Sequence, residues 1–199
     1  MFSSNSSLTA WTTPLPNLQD GDYMFYNTSL KEWTTPLPKL QDGFYMFYGN
    51  DFTSFDVDLP ELTDGYEMFY YCTNLTSFTG DTPKLTRGNY MFERCPIVHF
   101  RGNLKQLTSG TRMFDYAKFD AETVEYVVNQ LKNNQCTYNS SITLGVDKSF
   151  YEDQTIRHIL GIYAGDEQPG EDKKVARKYS YSKITNAKGK KWSVTTYWN

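Results

Sequence analysis

The chain has 199 residues, a formal net charge of −3 and a sequence pI of about 5.4. The acidic balance removes the electrostatic attraction on which nonspecific nucleic-acid binding depends, so we expect no nucleic-acid partner. No stretch of about 18 consecutive apolar residues occurs, so we also expect no membrane insertion. Three cysteines, an odd number, do not form a closed disulfide framework and are expected to remain reduced.

Six methionines mark an internal repeat. Each precedes a phenylalanine, and successive copies lie 22 or 23 residues apart, at Met1, Met24, Met46, Met68, Met91 and Met113. The aligned copies share the template M-F-x-x-N/C-x-x-L-T-x-W/F-x-x-x-L-P-x-L-x-D-G-x-Y. A period of this length with recurring leucine is typical of leucine-rich repeats. The sequence therefore predicts an α/β-type leucine-rich-repeat solenoid of 22–23-residue coils over residues 1–119.

Each coil is expected to contain a tight turn and a short strand. We interpret M-F-x-x-C as a helical or 3₁₀ turn, and residues 75–80 as a strand that pairs in parallel with its neighbours. The recurrent glycine of the template is expected at a corner with positive φ. Stacking of coils predicts two core columns, Phe2, Phe25, Phe47, Phe69, Phe92, Phe114 and Trp11, Trp33, Phe55, Phe78, Phe100.

The periodicity changes at Asp120, and residues 120–199 are predicted to form a small α/β unit that caps the solenoid. Apolar residues at i, i+3, i+4 and i+7 from Val124 to Leu131 indicate an amphipathic helix with Asp120 as its N-cap. The other elements expected in this unit are a strand at 141–146, a helix at 152–163, a mobile loop at 164–174 and a strand at 191–198 beside the first strand.

The segment MFYYCTNLTSFTGDTPKLTRGNYMFERC, residues 68–95, resembles the BspA-like, treponemal-type leucine-rich repeats of bacterial surface proteins. Coils of that family carry an A/M-F-x-x-C turn and an L-T-x-F strand, and the resemblance extends over residues 1 to about 119. The final stretch, KGKKWSVTTYWN, is similar to the unit that closes such arrays. The resemblance implies a non-enzymatic protein that adheres to host proteins or other cells.

A third column of aromatic residues is the first candidate ligand site. Tyr26, Tyr48 and Tyr70 each follow a phenylalanine of the core column, and adjacent residues cannot all point inward. Rings that face solvent would suit stacking on sugars or anchoring a protein partner. The alternative is that these rings only cover the outside of the turn.

The outward face of the strands is the second candidate. If Phe78 points inward, its two neighbours point outward, and the corresponding positions of other coils vary in chemistry. The candidates on this face are Glu32, Ser54, Asp56, Ser77, Thr79, His99 and Arg101. A solenoid presents binding surfaces in this way, although a solvated face without a ligand would vary equally.

Metal and catalytic sites are not expected. Asp20, Asp42 and Asp64 fall in one column that could hold Ca²⁺. We favour the explanation that each is an aspartate before glycine in a turn, because the column is interrupted at Arg87 and Ser109. Cys95 and His99 share a coil, yet no acid that would orient the histidine is evident. We therefore expect no enzyme activity, no catalytic residue, no metal and no cofactor.

The first coil is expected to be an open end. Without a polar cap, Phe2, Leu8 and Trp11 would form an edge that a partner covers. The function expected is recognition of a protein or glycan on a cell surface, with the chain extracellular as part of a longer exported protein. The alternative is a structural subunit of a bacteriophage virion, in which a fibre, tail or head decoration contacts neighbouring subunits through this edge.

Overall fold

The computed structural model describes residues 2–147 and 178–198. Three short strands, β1 (Ser54–Phe55), β2 (Ser77–Phe78) and β3 (His99–Phe100), form a parallel sheet in chain order. Ser54 pairs with Ser77, and Ser77 pairs with His99, so each coil lies in register on the next. The predicted parallel strand is confirmed, but it is only two residues long instead of extending over residues 75–80.

The turn that carries the Met-Phe pair is not helical. Its backbone N–H groups alternately close a local turn and bond to the next coil; Met24 N donates to Gly21 O (2.9 Å), whereas Phe25 N donates to Met46 O (3.0 Å). Two positions of each turn have positive φ in nearly every coil, for example Tyr45 (54°) and Tyr71 (66°). These left-handed residues explain why the expected helical or 3₁₀ turn does not form in residues 2–119.

The recurrent glycine of the template has a different role from the one that we expected. Gly43 and its equivalents Gly21, Gly65 and Gly88 do not have positive φ; among the described glycines only Gly49 and Gly189 do. A Cβ atom on Gly43 would lie 2.7 Å from the sulfur of Met68 in the next coil. Glycine is required because a buried methionine packs directly on the backbone.

The two predicted aromatic columns run through the core, which also contains the leucines and methionines of the coils. Ring centroids in the phenylalanine column, from Phe2 to Phe114, lie 5.4 to 5.9 Å apart with nearly parallel planes. The second column meets it edge to face, as Phe55 meets Phe69 at 4.8 Å. Each coil therefore covers the rings of its neighbour, which a single coil could not do.

The N/C position of the template provides hydrogen-bond donors to buried carbonyl groups. The Asn50 Nδ2 donates to Phe25 O (2.8 Å) and Phe47 O (3.0 Å), and its Oδ1 accepts from Leu30 N. Cys72 Sγ donates to Phe47 O (3.2 Å), and Cys95 Sγ donates to Phe69 O (2.9 Å). Asparagine and cysteine can both occur at this position because both can satisfy the carbonyl of the preceding coil.

A second sheet follows the last repeat, with strand order β4-β5-β7-β6. Its elements are β4 (Gly110–Phe119), α1 (Ala121–Lys132), β5 (Ser140–Val146), β6 (Lys178–Thr185) and β7 (Lys191–Trp198). The predicted helix with its Asp120 N-cap, the predicted strand at 141–146 and the neighbouring strand at 191–198 are confirmed. Strand β6 was not predicted, and the helix at 152–163 and the loop at 164–174 lie outside the described residues.

Strand β4 joins the two regions. It is the turn of the sixth repeat, and its open side pairs in parallel with β5, with Phe114 opposite Leu144. Asn134, after α1, donates to Leu104 O (2.7 Å) and Leu107 O (2.8 Å), and its Oδ1 accepts from Cys136 N (2.8 Å). The hydrogen-bond pattern of the coils therefore continues into residues beyond 120.

Candidate functional site

The three predicted tyrosines form a continuous ladder on the outside of the turns. We call Tyr26, Tyr48 and Tyr70 the tyrosine ladder. Each ring is half-buried, while the phenylalanine before it is fully buried. Adjacent residues of the turn therefore point to opposite sides, as the sequence predicted.

The rings of the tyrosine ladder cover each other. Tyr26 and Tyr48 stack with centroids 4.6 Å apart and planes at 16°, and Tyr48 and Tyr70 stack at 5.3 Å and 3°. Because Tyr48 has a ring on both faces, only its edge and hydroxyl group remain available to a partner. A flat ligand has no open face on which to stack at the middle of the ladder.

The hydroxyl group of Tyr48, in the middle of the ladder, keeps its proton. Burial raises the pKa of Tyr48 above its usual value, and the neighbouring Tyr26 and Tyr70 add to this effect. A protonated phenol both donates and accepts hydrogen bonds. The middle of the ladder therefore offers an aromatic edge together with a neutral polar group.

In the fifth and sixth repeats the ladder position holds acids instead of tyrosines. Glu93 and Asp115 are each 2% exposed, and Arg112 bridges them, with its Nη2 2.7 Å from Glu93 Oε1 and 2.9 Å from Asp115 Oδ2. Burial raises the pKa of Glu93 to about 7, and the charge of Asp115 acts in the same direction against the opposing effect of Arg112. Glu93 Oε2 has no hydrogen-bond partner, which fits a carboxyl group that holds a proton near neutral pH.

A second group of aromatic and basic side chains lies beside the end of the ladder. We call Tyr71, Arg94 and Tyr116 the Tyr–Arg clamp. The Arg94 Cζ lies 5.7 Å from the Tyr71 ring centroid and 4.8 Å from that of Tyr116. The repeat template places these three residues at one position, but it does not show that their side chains project together from the turn, so the group was not predicted.

The strand-face candidates divide into two groups. Four of them are exposed, and Ser77 is half-buried; the five are Glu32, Ser54, Asp56, Ser77 and Thr79. The other two contact the start of α1: His99 Nδ1 lies 3.1 Å from Asp120 Oδ2, and Arg101 forms a salt bridge with Glu122. The functional groups of His99 and Arg101 are thus engaged within the chain.

The first-coil candidates pack against the core. Phe2, Leu8 and Trp11 are partly buried, and Phe2 stacks on Phe25 at 5.7 Å while Trp11 meets Phe25 edge to face at 4.9 Å. Their remaining exposed surface is compatible with the predicted contact edge. Its role in assembly stays a prediction.

The carboxylates of the aspartate column form hydrogen bonds within their own turns. Asp20, Asp42 and Asp64 each accept a hydrogen bond from the N–H two residues further on, at 2.9 to 3.1 Å. Arg87 also pairs with Asp64 at 2.7 Å. Within residues 2–147 and 178–198, no group of three or more His, Cys, Asp or Glu is arranged to hold a metal ion.

The cysteines are buried, and all three are free. Burial raises the pKa of the Cys95 thiol well above its usual value, and contact with Cys72 contributes. A thiol of this kind remains protonated and is a poor nucleophile. The Cys95 and His99 pair therefore lacks the activated sulfur that nucleophilic catalysis requires.

The parallel stack of 22–23-residue coils, joined by short parallel strands or isolated bridges and with an aromatic turn in each coil, defines a leucine-rich-repeat solenoid. Residues 1–120 match the model of the BspA type leucine-rich repeat region in six copies, and the chain belongs to this family. No curated protein and no solved structure matches the chain. In the part of the chain that the structure describes, no helix is long and apolar enough to span a membrane.

Proposed function

We propose that the chain is a non-enzymatic recognition module that binds a partner protein through the tyrosine ladder. Family membership supports a role in recognising proteins or surfaces. The observation that carries the proposal is the stacked, half-exposed row of Tyr26, Tyr48 and Tyr70 on the turns. We further propose that the protein acts at a cell surface or outside the cell.

The stacking geometry favours a protein over a glycan. A sugar ring that stacks on an aromatic side chain needs an open ring face, and both faces of Tyr48 are covered by its neighbours. Tyrosine edges with hydroxyl groups instead match the mixed polar and apolar surface of a polypeptide, for which tyrosine is a frequent anchor.

We also propose that residues 120–199 close the array at its C-terminal end. Phe119 packs on Phe114, the last ring of the phenylalanine column, at 4.9 Å. The apolar face of α1, from Val124 to Leu131, is buried. Such a unit would protect the last coil from unwanted pairing and leave the tyrosine ladder as the accessible surface.

The proposal is tested by selecting short random peptides on the immobilised protein and measuring their affinity for Tyr48→Ala. We expect selected peptides to bind the variant at least about tenfold more weakly, because the variant removes a central aromatic anchor. Ser54→Ala, on the strand face, is the control and should leave affinity unchanged. Peptides that bind Tyr48→Ala as well as the original protein, or a selection that yields none, would contradict the proposal.

A further inference from the structure

The Tyr–Arg clamp holds an arginine in a fixed orientation. The guanidinium of Arg94 lies between the rings of Tyr71 and Tyr116, which come from the preceding and following coils. A hydrogen bond with the side chain of Tyr70 raises the pKa of Arg94. Because ring stacking occupies the two faces of the guanidinium, its N–H edges are the part that remains to meet another group.

Arg94 differs from the other described arginines in its partners. Arg87 pairs with Asp64, Arg101 with Glu122, and Arg112 with both Glu93 and Asp115. Arg94 forms no salt bridge with any carboxylate in residues 2–147 and 178–198. The charge of Glu93 acts on Arg94, but no described carboxylate lies at salt-bridge distance from it. A planar donor that is held in place in this way suits a carboxylate supplied from outside.

The turn requires positive φ at the clamp position, but it does not require large side chains there. Tyr71, Arg94 and Tyr116 have positive φ values of 66°, 65° and 79°. The equivalent residue of the third repeat is Gly49, with φ of 67°, and that of the second is Asn27, with φ of 50°. Large side chains cost about 1–2 kcal/mol each in this conformation relative to the right-handed one. Their use where the same fold accepts glycine indicates a role for the side chains.

We propose that the clamp is the specificity point of the binding surface, and that Arg94 receives the carboxylate of an aspartate or glutamate from the partner protein. The inference rests on the proposed function, because Tyr70 belongs to the tyrosine ladder and also contacts Arg94. A partner segment that lies along the ladder reaches Arg94 at its end. The partner is therefore an acidic polypeptide segment, with its acid anchored at Arg94.

The test uses peptides selected on the original protein. We expect these peptides to contain Asp or Glu and to bind Arg94→Gln about tenfold or more weakly, the range for a charge-assisted hydrogen bond. Replacing the peptide acid by its amide should cause a similar loss, and combining both changes should add little further loss, because each removes the same contact. The affinity for Arg94→Lys should lie between that for the original protein and that for Arg94→Gln, since an ammonium keeps the charge but cannot bind in the bidentate mode.

A control variant and a second clamp variant separate the clamp from general effects of charge and folding. Arg87→Gln removes the same charge from an arginine that already pairs with Asp64, and it should leave peptide affinity unchanged. Tyr71→Gly should fold, because Gly49 occupies the same position in another coil, and it should weaken binding by uncovering one face of Arg94.

The outcomes distinguish this inference from the proposed function. Peptides that lose affinity for Tyr48→Ala but not for Arg94→Gln would overturn the inference and leave the tyrosine ladder as the binding site. Selected peptides without any requirement for an acid would overturn it as well. A selection that yields no peptide would contradict both proposals.

Discussion

Phe47 and Tyr48 are adjacent in one turn, and each lies in the middle of an aromatic column. The Phe47 ring stacks between Phe25 and Phe69 at 5.9 and 5.4 Å, and the Tyr48 ring stacks between Tyr26 and Tyr70 at 4.6 and 5.3 Å. The phenylalanine column continues without a break to Phe114. The tyrosine ladder, by contrast, ends after three rings.

The difference between the two columns shows which side chains stabilise the fold and which can vary from coil to coil. The phenylalanine column is surrounded by side chains and must be filled by a ring of the same size in every coil. The tyrosine ladder has solvent on one side, and the fifth and sixth coils replace it with Glu93 and Asp115 without loss of the stack. Side chains on the outer column can therefore serve binding, while those on the inner column serve stability.

Removing a ring from the inner column should produce the largest effect. Phe47→Ala leaves a cavity among Phe25, Trp33, Phe52, Phe55 and Phe69. We expect the free energy of unfolding to fall by about 3–5 kcal/mol, measured by urea denaturation. A loss below about 1 kcal/mol would mean that the column does not carry the stability of the solenoid.

Replacing Asn50, whose side chain donates hydrogen bonds to carbonyl groups of two coils, should have the next largest effect on stability. Asn50→Leu leaves the carbonyl groups of Phe25 and Phe47 without this donor and the N–H of Leu30 without its acceptor. The expected loss of unfolding free energy is about 2–4 kcal/mol. Asn50→Cys is the control, since Cys72 fills the equivalent position, and it should cost clearly less. Equal losses for the two variants would contradict the role assigned to the donor.

The acidic part of the outer column should give the protein a pH-dependent stability. The pKa of Glu93 is raised to about 7 in the folded state from an ordinary value near 4.5. The contribution of Glu93 to the free energy of unfolding is therefore fully present below pH 4.5 and is lost as pH rises through 7, because the folded state binds the proton more tightly than the unfolded state. The magnitude is on the order of 3 kcal/mol.

Glu93→Gln isolates this contribution from other titrating groups such as Asp22, whose pKa burial raises to about 6. Thermal unfolding of the original protein and the variant is compared from pH 4 to pH 8. The difference between their stabilities should shift in favour of the variant as pH rises. A difference that stays constant over this range would show that Glu93 does not titrate there.

Removing a ring from the tyrosine ladder should have the smallest effect on stability. Tyr48→Ala is expected to cost about 1 kcal/mol, because it loses two stacked contacts but opens to solvent instead of leaving a closed cavity. Tyr48→Phe should be nearly neutral. If Tyr48→Ala destabilises the protein as much as Phe47→Ala, the ladder is part of the core and the distinction between the two columns fails.

Some differences between prediction and structure arise from contacts between residues that are distant in the sequence. The sequence template shows that glycine recurs, but the cause is the sulfur of a methionine in the next coil, which lies far away in the sequence. Strand β6, which was not predicted, lies at the edge of the second sheet and pairs with β7 alone. Its sequence, KYSYSKIT, does not show on its own which sheet it joins.

The sequence by itself determined the repeat, its length, the inward ring columns and the elements α1, β5 and β7, because these follow from periodicity and local propensity. Only the tertiary structure decided which exposed side chains meet. The Tyr–Arg clamp depends on left-handed backbone angles and on contacts between coils about 22 residues apart in the sequence. A linear pattern contains the identity of these residues, but their common orientation arises only when one coil lies on the next.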